Sequence, residues 1–375
     1  MSEQFRIGDY NYIFDSTVAL TCTGEDASFP STNMRHYHLS KVLRTNGYFS
    51  IGSSNNRLDF KESAGGAEKR ATLSSGTYTA TTLAAEIKRA MEAAGTTTYT
   101  VSYSSTTGKW TISTALSYLA LLWASGTDTA TSCGATIGFD VSADVSSSTS
   151  YTGASIAINT EASLVIDLRT TEDIDSFAAF FDKTIGSKLT PEAVVKLQAS
   201  ASNVWTAPPV DVTLAFDETY ESITHFFSSV QTYRYWRLKV VDPRNPNLYI
   251  EIPKLFLTKA TQITAQSPEA GMTFRTRDLS QRKSTPYGHP YIDLYPQLRK
   301  FDFKYALLAD TDLAILEDVF GRVGNAAPIF LALDPLATVY DKDRYCVYGY
   351  LQEEFGADHV FYTYYNTGLV LEEAL

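Results

Sequence analysis

The sequence predicts a mainly β protein carrying α+β modules, on three observations. Of its 375 residues, 24 are Tyr and 20 are Phe, and aromatic side chains suit a pleated, half-buried surface. Only 19% are charged, while short apolar/polar alternations recur along most of the chain. The prolines are unevenly placed: of 13, Pro30 alone precedes Pro191. Residues 31–190 therefore differ in texture from the remainder of the chain after Pro191. The length allows two or three domains of roughly 100–200 residues each.

Residues 61–160 hold 36 Ser or Thr. Composition alone would suit a linker, but the pattern is that of a folded module. Thr79 to Gly95 (TATTLAAEIKRAMEAAG) puts Leu83, Ile87, Met91 and Ala94 on one helical stripe, with a Thr start and a Gly stop. In YTVSYSSTTGKWTIS, Tyr99, Val101 and Tyr103 alternate, Thr107-Gly108 turns the chain, and Trp110 and Ile112 alternate on the return. Around this module lie half-buried strands. Leu164, Ile166 and Leu168 alternate, as do Val195, Leu197 and Ala199, and Trp236, Leu238 and Val240. After the loop 242–247, Leu248, Ile250 and Ile252 continue the pattern, and together these strands predict an antiparallel sandwich. From about residue 265 the texture returns to α+β. FDFKY at 301–305 alternates, and a helix comes next in which Leu313, Leu316 and Phe320 form the stripe. Asp310 or Thr311 is its expected cap and Gly321 its stop. Strands resume at IFLAL, YCVYGYL and HVFYTYY. No fixed-period repeat is present.

Charge and composition exclude several functions. The net charge is −11, which repels a phosphate backbone, and no basic run offsets it, so no sequence-specific nucleic-acid partner is expected. The apolar stretch Ala115 to Ala124 is about half the roughly 20 residues a membrane helix needs, so no membrane insertion is expected. The N-terminus MSEQFRIGDYNY does not read as a signal peptide. Cys22, Cys133 and Cys346 are widely spaced, which fits synthesis in a reducing cytoplasm.

No nucleophile elbow, phosphate loop, dinucleotide fingerprint or zinc-protease motif is present, and no cofactor, catalytic residue or metal site is assigned. His36 and His38, with Cys22, could form part of a zinc site if HYH were a strand, against the alternative of surface histidines. Asp341 and Asp343 could ligate calcium, against the reading of a polar turn. Asp310 and Asp312 suit a helix N-terminus. Glu353-Glu354 and Glu372-Glu373 are adjacent, so on a strand they point to opposite faces and form no facing acid pair. Tyr233 and Tyr235, beside Arg237 and Lys239, would face away from Trp236 and suit sugar stacking, a protein interface or cover by a neighbouring domain. Phe361, Tyr362, Tyr364 and Tyr365 would put aromatics on both faces of one strand, which points to a partner.

Three segments resemble known families. The module ATLSSGTYTATTLAAEIKRAMEAAGTTTYTVSYSSTTGKWTIS, closing in GATIGFD, is similar to a small domain of virion structural proteins in tailed bacteriophages. The segments ASFPSTNMRHYHLSKVLRTNG, ASLVIDLR, VVKLQASASNVW and YRYWRLKVVDPRNPNLYIEIPKLFL resemble a galactose-binding-like β-sandwich, whose ligand-binding residues stay unassigned. FDFKYALLADTDLAILEDVF, APIFLALDP, RYCVYGYL and LVLEEAL resemble the α+β barrel of tail-tube and distal tail proteins, although in those the barrel comes first. The resemblance implies a sandwich from residues 1–50 with 160–262, an inserted α+β virion module at 51–159, and a tail-tube-like barrel at 263–375. It further implies a non-enzymatic structural protein at a siphophage tail tip or baseplate. Its partners would be itself in a symmetric ring, the tail tube, and baseplate hub and fibre proteins. The alternative is a virion host-attachment protein that binds a surface glycan.

Overall fold

The computed structural model describes residues 5–157, 160–181, 189–215, 222–243, 245, 247–262, 273–284, 287, 289–333, 345–352 and 354–374. Strands dominate, in several antiparallel sheets, and the described residues include two α-helices, α1 (Ala80–Ala94) and α2 (Asp310–Val323). The chain divides into two compact units. One comprises Met1–Arg44, Ser163–Lys239 and Glu251–Leu375; the other comprises Thr45–Ala162 and Val240–Ile250.

The smaller unit includes the Ser/Thr-rich helix-and-hairpin segment of residues 61–160. It also takes in Val240–Ile250, because the Asp242 amide donates to the Thr160 carbonyl at 2.9 Å and the Gly47 amide to that of Leu248 at 2.9 Å. Helix α1 starts as its sequence predicts. The Thr79 side chain accepts from the Thr82 amide and Thr82 answers in a capping box, and the Gly95 amide closes the last turn on Met91. Leu83, Ile87, Ala90 and Met91 are buried against Phe60, Tyr99, Trp110 and Trp123. The hairpin pairs Tyr99 with Thr114 and Tyr103 with Trp110, in the register the alternation implies. Residues 115–124 contain the short buried strand Leu119–Leu121, which pairs with Arg57–Lys61. The closing Gly138 has φ +74°, and a Cβ there would lie 2.3 Å from the Ser155 carbonyl, so glycine is required.

The larger unit holds a six-stranded and an eight-stranded sheet. The six-stranded sheet runs in the order Val210–Leu214, Val194–Ser200, Ser222–Val241, Glu161–Phe180, Lys254–Thr258, with Ala19–Cys22 also paired to Glu161–Phe180. Leu164, Ile166, Leu168, Val195, Leu197, Trp236 and Leu238 are buried, as their alternation predicts. Leu248 departs from it. Its φ of 62° places it in a turn, and the strand begins at Tyr249.

The eight-stranded sheet runs Thr261–Gln262, Arg6–Gly8, Ile329–Ala332, Cys346–Gln352, Tyr364–Glu373, Gln297–Ala309, Thr273–Asp278, with Ala357–Phe361 paired to Tyr364–Glu373. The N-terminal strand joins this sheet because Phe5 and Ile7 are buried with Phe301, Phe303 and Leu331. Helix α2 buries Leu313, Leu316, Val319 and Val323. Two details differ from expectation. Its N-cap is Ala309, with Asp310 and Asp312 in the first turn, and it runs past Gly321 to stop at Gly324, with φ +52°. The extra turn brings Val323 into the core and Arg322 to Asp9.

Candidate functional site

A concave pocket of about 480 Å³ in the larger unit is lined by Asp9, Tyr10, Phe14, Asp15, Tyr37 and Arg322 among others. Its first wall is fixed by Asn11. The Asn11 side chain accepts from the Ile13 and Leu257 amides at 3.2 and 3.1 Å and donates to the Leu255 carbonyl at 2.7 Å. That anchors the turn Tyr12–Phe14 on the strand Lys254–Thr258. Arg322, from the last turn of α2, donates through Nε to Asp9 at 2.8 Å, and Thr261 donates its hydroxyl to the same carboxylate at 2.9 Å. Asp15 accepts from the Thr17 amide and hydroxyl, both at 2.8 Å, and from the Tyr10 hydroxyl at 3.1 Å. The bonds from Thr17 are the main reason its carboxyl lies below the usual range. Burial, and then the Asp15 carboxylate, raise the Tyr10 phenol.

The opposite wall is the segment carrying Tyr37, whose ring meets Phe14 edge-on at 5.0 Å and whose carbonyl accepts from the Tyr348 hydroxyl at 2.6 Å. Lys254 holds the base of this segment. Its ammonium donates to the Asn33 and Lys41 carbonyls at 2.8 and 3.1 Å, and burial lowers it to about 7. Tyr10 and Tyr37 remain 45% and 39% exposed. The pocket therefore offers two accessible rings beside carboxylate acceptors and guanidinium and phenol donors held rigidly by their own hydrogen bonds. That combination suits a polar ligand with one apolar face.

The residues singled out in the sequence are placed differently. His36 and His38 are exposed and come after the 3-10 turn Ser31–Arg35; HYH is not a strand, so its rings do not share a strand face. Burial pushes the Cys22 thiol up to about 12. Among the described residues no group of three or more His, Cys, Asp or Glu lies close enough to hold a metal ion. Asp341, Asp343 and Glu353 lie outside the described residues. Glu373 accepts from the Arg299 amide and Nε at 2.9 and 2.8 Å, while Glu372 meets Arg277 at 3.7 Å. Both are absorbed in ion pairs.

Trp236 is fully buried, and Tyr233 and Tyr235 are half-buried. Tyr233 contacts the Trp236 ring edge-on at 6.5 Å. The Arg234 guanidinium covers Tyr235 at 4.7 Å while bonding Asp167 at 2.7 and 3.0 Å. Arg237 stacks on Trp205 at 4.4 Å and donates to Gln198. Each member of the cluster thus meets a side chain of its own unit. The aromatic run near the C-terminus is not one strand. Phe361 ends the strand Ala357–Phe361, Tyr362 turns the chain with φ 54°, and Tyr364 begins the next strand.

The pocket was not legible in the sequence, because Asp9 and Arg322 are 313 positions apart. The one available signal was the alternation of acids and aromatics in GDYNYIFD.

A second concavity, of about 440 Å³, lies on the outer face of the eight-stranded sheet and is lined by Asp302, Lys304, Glu354, Asp358 and Asn366 among others. A third, of about 520 Å³ in the smaller unit, is lined by neutral groups such as Ser50, Asn55 and Thr136. No helix among the described residues is long and apolar enough to cross a membrane.

No family model matches the chain. No curated protein matches it. Among solved structures, it is similar to a CBM32 module of a family 31 glycoside hydrolase from Clostridium perfringens, at 15% identity and a TM-score of 0.20, covering 26% of this chain and 68% of that one. It is likewise similar to a CBM32 module of a GH89 protein from Clostridium perfringens, solved with GalNAc-β-1,3-galactose, at 13% identity and a TM-score of 0.20, covering 27% of this chain and 68% of that one. These similarities span about a quarter of the chain.

Proposed function

We propose that this chain is a non-enzymatic structural protein of a phage tail tip or baseplate, similar to a distal tail protein, whose copies and neighbours dock through two exposed hairpins, Gln281–Ser284 with Pro290–Asp293 and Ala357–Phe361 with Tyr364–Glu373. The observation that carries this reading is the concentration of exposed large apolar side chains there. Tyr287 is 91% exposed, Leu294 83%, Tyr362 81% and Phe361 67%. Scattered apolar residues are ordinary on a surface, but here they gather at the two hairpins, with Phe361 at a strand end, Tyr362 in the turn after it and Leu294 directly after the strand Pro290–Asp293, which suits docking. The resemblance of the inserted module to virion proteins supplies the setting. In this reading the C-terminal block is the tail-tube-like, ring-forming barrel, and the sandwich with its insertion projects outward to hold fibres. Native mass measurement and negative-stain imaging of the purified chain test it. Closed rings are expected, and Leu294→Ser with Tyr362→Ser should dissociate them without changing the circular dichroism spectrum. A chain that stays monomeric at high concentration would count against it.

A second reading, a glycan-binding attachment protein, is favoured by the pocket between Tyr10 and Tyr37. A glycan array tests it. Binding that Tyr37→Ala weakens by about tenfold would support the site, and an array without a hit would remove the reading.

A further inference from the structure

Thr273–Asp278 is the last strand of the eight-stranded sheet, and beyond it Gln281–Ser284 and Pro290–Asp293 form an arm that, among the described residues, pairs with no other strand. Every residue of Gln281–Ser284 is exposed, and Tyr291, Ile292, Leu294 and Tyr295 are at least 47% exposed. A two-stranded ribbon that buries neither face is marginal in water, so its stability calls for a cover.

Its charge points to what that cover is. Edge strand and arm together, residues 273–295, hold four basic residues and two acidic ones, a net of +2 within a chain of −11. Arg277 and Lys283 are engaged with Glu372 and Asp293. Arg275 and Arg282 form no ion pair among the described residues. The complementary surface lies on the sheet that the edge strand Thr273–Asp278 closes, in the cleft of about 440 Å³ where, among the described residues, Asp302, Glu354 and Asp358 stand against the single base Lys304. None of these three carboxylates pairs with a base among the described residues. Beside the cleft, Ala357–Phe361 is exposed throughout, and Val360 and Phe361 present apolar surface 48% and 67% exposed.

Resting on the copy-to-copy docking proposed above, we infer that the arm of one copy seats on the acidic cleft of a second copy, with Arg275 and Arg282 meeting Glu354 and Asp358. The arm's tyrosines then cover Val360 and Phe361. Arm and cleft are different patches, so the contact is head-to-tail. Such contacts repeat through successive copies and generate a ring where the rotation closes. A polyanion would satisfy the arm alone and leave the cleft unpaired.

The test uses the full chain, with native mass and sedimentation at low and high salt. The wild type should assemble at low salt and dissociate as salt screens the contact. Reversing the arm (Arg275→Glu with Arg282→Glu) or the cleft (Glu354→Lys with Asp358→Lys) should each weaken self-association by about a hundredfold or more. Mixing the two reversed proteins should restore assembly, since each arm again meets a cleft of opposite sign; a misfolded variant could not do this. A wild type that is monomeric at every salt removes copy docking and this inference together. A wild type that assembles, with reversals that assemble equally or a mixture that does not, overturns the arm-to-cleft pairing and leaves copy docking standing. An arm that binds heparin while the chain remains monomeric also overturns it.

Discussion

Lys254 has none of its surface exposed, and its ammonium donates to two backbone carbonyls rather than to a carboxylate. Burial lowers it from 10.5 to about 7. The unfolded chain therefore holds this proton across a window in which the folded chain has released it. Stability gains from Lys254 as pH rises from about 7 toward 10.5, and the gain is absent below the folded value. Lys254→Met removes this dependence. Comparing thermal unfolding of both proteins at pH 7 and about pH 9.5 should show the wild type gaining on the variant at the higher pH, and parallel shifts would refute the assignment. Tyr37 lies in the segment this lysine holds. The sequence shows a lysine opening an apolar run, KLFLT, and cannot show that its head group is enclosed, because Asn33 is 221 positions away.

Local elements were the most legible, and the reason is that their determinants are near in sequence. Helix α1 carries its stripe, cap and stop within 17 residues, Thr79 to Gly95. Replacing the cap with Thr79→Ala should cost the smaller unit about 1 kcal/mol, read as a lower denaturation midpoint at unchanged slope. No loss would mean that Thr82 alone satisfies the turn. Helix α2 departs from its local signals at both ends. Gly321 is compatible with a helix when the next turn has a core to fill, and Val323 fills it. The same limit explains HYH and the aromatic run at 361–365. Alternation suggests a strand, but HYH directly follows a 3-10 turn and a left-handed Tyr362 interrupts the aromatic run, and neither has a strong local signature. The arm was invisible for the opposite reason. Its strands look ordinary in sequence, and only their exposure sets them apart.

At the scale of the molecule, separate cores form from residues that the sequence interleaves. Trp110, Trp123, Phe60 and the stripe of α1 make one; Phe301, Phe303, Tyr305 and the stripe of α2 make another, joined by Phe5 and Ile7 from the N-terminus. Trp110→Ala should destabilise its own core by about 3–5 kcal/mol. Hydrogen exchange would show lost protection in α1 and unchanged protection at Phe301–Tyr305. Loss in both would mean that the two units unfold as one. Composition, alternation and capping by themselves determined the mainly β character and the position of α1, because each depends on neighbours a few residues apart. The tertiary structure alone decided which strand the N-terminus joins, that Asp9 meets Arg322 to build a pocket, and that the acidic cleft and the edge strand Thr273–Asp278 share one sheet. Those outcomes depend on which distant surfaces bury together and which carboxylates find a base, and the spacing of residues along the chain does not specify either.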